Sequence, residues 1–124
     1  MPKIDNSQNQ SFDIPGVRFT PIASPSRGSS ETAVWRCLVQ PGSTGRSHHV
    51  TREEIIVALD GAGTVTVGDE AHTLQPGDAF AVPAFTDFKL DCVGETPFEA
   101  MVVLPAGGRA VVADQPSFQP PWSV

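Results

Sequence analysis

Turn signals recur along this chain at short, regular intervals, and nothing in it constrains the fold more. The clusters PSRGSS, PGSTGR, DGAG, GDE, QPGD and GETP each combine residues that reverse a backbone. Glycine supplies positive φ, proline presets φ, and Asp or Ser bonds its own backbone. Between them stand FDIPGVRFTPIA, TAVWRCLVQ, SHHV, EEIIVALDG, GTVTV, EAHTL, DAFAVP, FKLDCV and PFEAMVVLP. None carries a helical period through three turns. Strands arriving every ~8–12 residues predict an all-β sandwich or barrel. The sharpest hairpin is Gly68-Asp69, with Val65 and Val67 on one face and Thr64 and Thr66 on the other. Gly42, Gly61, Gly68 and Gly77 are expected at turns, and no long helix between residues 33 and 104.

At 124 residues the chain is one domain with room for a real core. Its net charge of −6 argues against nucleic acid and anionic membrane surfaces as partners, since both select basic patches. No apolar run approaches the roughly 20 residues that span a bilayer. The first fourteen residues, MPKIDNSQNQSFDI, lack the apolar stretch of a secretory signal. Cys37 and Cys92 have no metal-type spacing and fall inside apolar segments, so they read as free thiols of a reducing cytoplasm. The chain divides into a polar arm (1–11), a barrel (12–113) and a proline-rich tail (114–124). The tail cannot be a central strand, and its Phe118 and Trp122 are expected to pack on the barrel or on a neighbouring subunit.

One stretch carries chemistry: GSTGRSHHVTREEIIVALDG, from Gly42 to Gly61. It spaces Gly42, His48, Glu54 and Gly61 in a register that resembles the first motif of the cupin superfamily. That motif has a second histidine at the position of Val50. The second cupin motif is matched by Gly77 and Pro83, whereas Phe85 stands for its glycine, Phe88 for its histidine and Cys92 for its asparagine. The resemblance implies a cupin jelly-roll barrel of two antiparallel sheets, commonly a homodimer, with the arm and tail as candidate exchange elements. It also implies that the four metal positions are His48, Val50, Glu54 and Phe88, of which only two can donate.

A divalent transition metal takes three or more imidazole, thiolate or carboxylate donors, so the reading favours no cofactor. If a metal is present, its ligands are His48, His49 and Glu54, which requires a bulge because neighbours on a strand face opposite ways. Glu54 shares a face with Ile56 and Ala58, and Ile55, Val57 and Leu59 make the other face apolar too, as if covered by a partner. An inward Glu54 needs a partner, and His48 is the natural one. That pair is either an inherited structural hydrogen bond or an acid–base pair with Glu54 orienting His48. Val50, Phe88 and Leu90 supply an apolar wall, with Trp35 and Arg36 as further substrate-binding candidates on opposite faces of one strand. His72 reads as a surface residue, Asp78 as a turn residue, and Asp87 as able to reach the barrel mouth.

The leading expectation is a small cupin acting on a hydrophobic organic molecule by proton transfer next to a carbonyl, as an isomerase, epimerase or cyclase. His48 and Glu54 would be catalytic. The alternatives are a metal-dependent dioxygenase or cyclase and a non-catalytic ligand-binding or sensor cupin.

Overall fold

The computed structural model describes residues 2–43 and 45–124, so Met1 of the arm and Thr44 of the PGSTGR turn lie outside the described residues. Eleven strands follow in order: β1 (Phe12–Ile14), β2 (Val17–Ala23), β3 (Thr32–Val39), β4 (His48–Val50), β5 (Glu54–Asp60), β6 (Ala62–Val67), β7 (Glu70–Leu74), β8 (Ala79–Val82), β9 (Lys89–Val93), β10 (Phe98–Pro105) and β11 (Ala110–Val112). Two three-residue 3-10 turns, Pro25–Arg27 and Pro121–Ser123, are the helical elements among the described residues. One layer is a six-stranded sheet in the order β1-β2-β3-β10-β5-β8, and all its pairings are antiparallel. The facing layer is split into β7-β6-β9 and β11-β4. His48 stitches the two pieces, its N–H donating to the Phe88 carbonyl (3.0 Å) and its carbonyl accepting from the Phe88 N–H (2.8 Å). This is an all-β jelly-roll barrel.

Alternation builds the interior. From β3 come Ala33, Trp35, Cys37 and Val39; from β10 Phe98, Ala100, Val102 and Leu104; from β5 Ile56 and Ala58; all are buried. Val50, Val65, Leu74, Val82 and Phe88 meet them from the other strands. Each larger side chain stabilises by roughly 1.5–3 kcal/mol through water removed from apolar surface.

The turns sit where the glycines are: Gly42, Gly61, Gly68 and Gly77 all have positive φ. The N-terminal segment is not one strand, because Pro15-Gly16 folds it into the β1–β2 hairpin. Both terminal segments make contacts with the barrel of their own chain. Asn9 donates to the Pro21 carbonyl, and Ile4 lies over Gly28. Trp122 stacks flat on Phe19 at 3.7 Å and meets Trp35 edge-on at 6.4 Å. Ser24 Oγ and Arg27 Nη1 donate to the Val124 carbonyl at 2.8 and 3.0 Å.

Phe85 has φ 61°, the left-handed region that the glycine of the second motif would occupy without strain. The backbone has kept its turn although the residue has changed. Its side chain is 68% exposed, so it gains little from burial. Relief of the left-handed penalty, set against the entropy of glycine, predicts that Phe85→Gly raises stability by about 0.5–1 kcal/mol in a urea melt. A loss instead would mean that the ring makes a compensating contact.

Candidate acid–base site

β4 is three residues long, and its faces differ sharply. Val50 is buried at 2% exposure, so its side chain belongs to the interior. His48, two residues before, shares that face by alternation. Its ring lies 4.5 Å from the Phe88 ring, centroid to centroid. His49 turns the other way, where Nδ1 meets Asp87 Oδ1 at 2.9 Å and the ring sits 6.1 Å from that of Phe85. The loop Asp87 thus engages the outward histidine.

His48 Nδ1 lies 2.9 Å from the Arg46 carbonyl oxygen. A carbonyl can only accept, so Nδ1 carries the proton and, in the neutral ring, Nε2 is the bare base. Burial pushes the His48 pKa below its ordinary value. The Arg46 contact and the Asp87 charge oppose that shift, and His49 adds to it. At neutral pH the ring is an uncharged base of fixed tautomer.

Glu54 opens β5 on its inward face and is 6% exposed. Among the described residues, no hydrogen bond or ion pair reaches its carboxyl. Burial pushes its pKa up to about 8, so at pH 7 it is a neutral acid with a proton to donate. Cys37, inward on β3, is raised to about 12 by burial, with a smaller push from Glu54. The thiol is therefore no nucleophile.

The sequence paired Glu54 with His48 as its orienter, and the structure corrects this. His48 is oriented by the Arg46 carbonyl, and desolvation rather than mutual attraction sets both protonation states. Arg36 is also corrected as a lining residue. Trp35 takes the inward position of β3 at 3% exposure, so Arg36 faces out and pairs with Glu99. Phe88 is buried and Leu90 packs against the core. His72 is 43% exposed in its side chain, near Glu70. Asp78 accepts from the Gln75 N–H at 2.9 Å, closing the QPGD turn. Two clefts, of about 200 and 270 Å³, lie outside the barrel on Glu31, Glu53, Ile55 and Val103 and on Asp13, Val17, Arg18 and Leu38. Neither touches His48 or Glu54.

The donor set does not fit a transition metal. Among the described residues no three His, Cys, Asp or Glu side chains converge as ligands, and His49 is committed to Asp87. Because Phe88 lies against His48, Phe88→His is expected to add an imidazole there, and Val50→His another on the same face. Zinc affinity measured by titration should rise at each step, toward the usual three- or four-donor range. No gain in the double variant would show that these positions do not converge.

The description "Cupin domain" matches residues 35–104, and the chain belongs to that family. It is 34% identical over 70 residues to a 1-hydroxy-2-naphthoate 1,2-dioxygenase of Nocardioides sp. strain KP7, over 54% of this chain and 18% of that protein. It is 32% identical over 65 residues to an uncharacterised protein of Methanocaldococcus jannaschii, over 52% of each. The chain therefore spans about half or less of the curated relatives it matches. Among solved structures, the polyketide cyclase RemF of Streptomyces resistomycificus superposes with a TM-score of 0.79 at 14% identity, covering 94% of this chain and 87% of that one. At that identity the likeness shows the fold.

Proposed function

We propose that this cupin binds a hydrophobic, aromatic or polyketide-like small molecule and moves a proton at carbon next to a carbonyl, as an isomerase, epimerase or cyclase. One observation carries the reading: an apolar barrel holds a neutral base and a neutral acid at once, His48 with a bare Nε2 and Glu54 with its proton. Titratable groups so shifted by burial mark functional sites more often than chance. His48 Nε2 would take the proton from carbon, and Glu54 would donate to the developing enolate oxygen. No charge need be buried in the resting state. Val50, Phe88, Leu90 and Trp35 would form the apolar wall, and Phe88, against the His48 ring, is the side chain that substrate would displace. The named activities of the naphthoate dioxygenase and the polyketide cyclase support ring-bearing ligands. The same reading places the protein in the cytoplasm as a homodimer, in keeping with two unpaired thiols.

A second reading, ligand binding without turnover, is favoured by the lining of both clefts, which includes neither His48 nor Glu54. The experiment that separates the two begins with melting shifts on 1-hydroxy-2-naphthoate and related polyketide-like rings. It continues with turnover of whichever ring binds. Under the proton-transfer reading His48→Ala should cost about 10²-fold or more in kcat, and Glu54→Gln a smaller factor. Binding that survives His48→Ala, with no turnover by the wild type, would establish the second reading.

A further inference from the structure

The tail crosses the inner face of β1, β2 and β3 as a strap held at both ends. At one end Phe118 bridges to Ala110, its N–H donating to the Ala110 carbonyl at 3.0 Å and its carbonyl accepting from the Ala110 N–H at 2.7 Å. At the other, the Val124 carbonyl accepts from Ser24 Oγ, Ser26 Oγ and Arg27 Nη1. Between them the Pro121–Ser123 turn sets the Trp122 indole into a box of rings. Phe19 is the floor, parallel within 4° at a centroid distance of 3.7 Å, with Trp35 edge-on and Phe12 tilted beside it. Phe12 is the register partner of Phe19, and Phe19 of the buried Cys37, so the box lies on the inner face and runs into the barrel through Trp35.

The indole matches this box in shape and not in polarity. Its Nε1–H is buried with no acceptor among the described residues, which works against the closed strap. Phe12, Phe19 and Trp35 have no side-chain acceptor to offer. A planar apolar ring of similar size would make the same stack without that loss.

We infer that the strap is displaceable and that the box beneath it is a seat for a planar, uncharged aromatic ring, whose place Trp122 takes in this structure. The inference rests on the aromatic-ligand reading above and deepens it by naming where the ring lands, against Trp35 of the proposed wall. Phe118 is the hinge, because its two backbone hydrogen bonds hold one end and the Pro120-Pro121 pair beyond it donates none. The Val124 clasp is the end that opens, since Ser26 and Arg27 reach it at the surface, where water competes for the same carbonyl. A ring binds only the open form, so its apparent affinity falls with the fraction of chains that are open.

Naphthalene titrated into the intact protein is the test, read by hydrogen exchange in NMR spectra. Binding should speed exchange of the Ser123 N–H and the Trp122 Nε1–H by about ten-fold or more, while the Phe118 N–H keeps its rate. Arg27→Ala loosens the clasp and leaves every ring in place, so it should tighten binding by roughly three-fold or more. Trp122→Ala should tighten it by about ten-fold or more, and Phe19→Leu, which removes the floor of the stack, should weaken it by a similar factor. Should Phe19→Leu fail to fold, the exchange pattern and Arg27→Ala decide, since neither touches the core. Tightening in Trp122→Ala with no change in Arg27→Ala would mean an engineered void and overturn the seat. Naphthalene that binds neither the wild type nor Arg27→Ala, or binds with tail exchange unchanged, also overturns it and leaves the proton-transfer reading standing. Carbonyl-bearing rings that release the tail and are never turned over would remove that reading and leave the seat.

Discussion

Raising pH from about 6.5 to 8 should destabilise this protein markedly, and Glu54→Gln should abolish that dependence. The unfolded carboxyl ionises near 4.5, whereas burial holds the folded one at about 8. Between those values the native chain keeps a proton that the unfolded chain has released. Higher pH then favours unfolding, by on the order of 1 kcal/mol per pH unit. Above about 8 both states are ionised and the loss levels off at several kcal/mol. His48 works in the opposite sense at lower pH. Its pKa is depressed below 6.5, so stability rises with pH up to 6.5 and partly masks the glutamate there. Thermal melts from pH 6.5 to 8 should therefore show Tm falling by roughly 3–5 °C per unit in the wild type. The glutamine variant should run nearly flat. Parallel slopes in the two proteins would mean that Glu54 ionises at its ordinary pKa, and the proposed acid would be lost with it. The same two groups predict a bell-shaped kcat profile, failing at low pH when His48 is protonated and at high pH when Glu54 is not.

The barrel could be read from the sequence because its signals are local. Gly61 and Gly68 bend the chain wherever they occur, and the alternation in TAVWRCLVQ and PFEAMVVLP assigns each side chain to a face. What the sequence misread involved a choice between local options. FDIPGVRFTPIA reads as one segment between turn clusters, yet with Gly16 at φ 79° its Pro15-Gly16 is a hairpin turn. β11 is three residues long and exists through pairing with β4, which no local pattern announces. Which face of β3 looks inward was open until the register with β10 placed Trp35 opposite Val102 and Arg36 opposite Met101.

At the candidate site, the motif spacing singles out His48 and Glu54, and Val50 and Phe88 stand at the two metal positions that offer no donor. The error was in assigning Glu54 a partner. A buried carboxylate demands a charged or multiply donating partner, whereas a carboxyl that keeps its proton escapes the larger charge penalty, and only the depth of burial says which it is. The partner that His48 does have, the Arg46 carbonyl, is a backbone atom two residues away and leaves no trace in residue identities.

Trp122→Ala should cost about 3 kcal/mol of stability, the largest single loss expected from a residue outside the barrel strands. The indole stacks on Phe19 with planes only 4° apart, meets Trp35 edge-on and lies 6.3 Å from Phe12. It thereby ties the 114–124 tail to the inner residues of β2 and β3. Its Nε1–H is buried without a hydrogen-bond partner, which works against the fold. Trp122→Phe keeps most of the stacking and removes that donor, so its cost should stay below about 1 kcal/mol despite the smaller ring. Urea melts of the two variants separate packing from polarity: a phenylalanine variant as weak as the alanine one would show that ring size, and not the unpaired donor, governs the contact. Because Trp35 belongs to the proposed apolar wall, loosening the tail should also speed exchange of the indole Nε1–H of Trp35 with solvent. Unchanged exchange in Trp122→Ala would separate the tail from the interior and leave it a purely external brace.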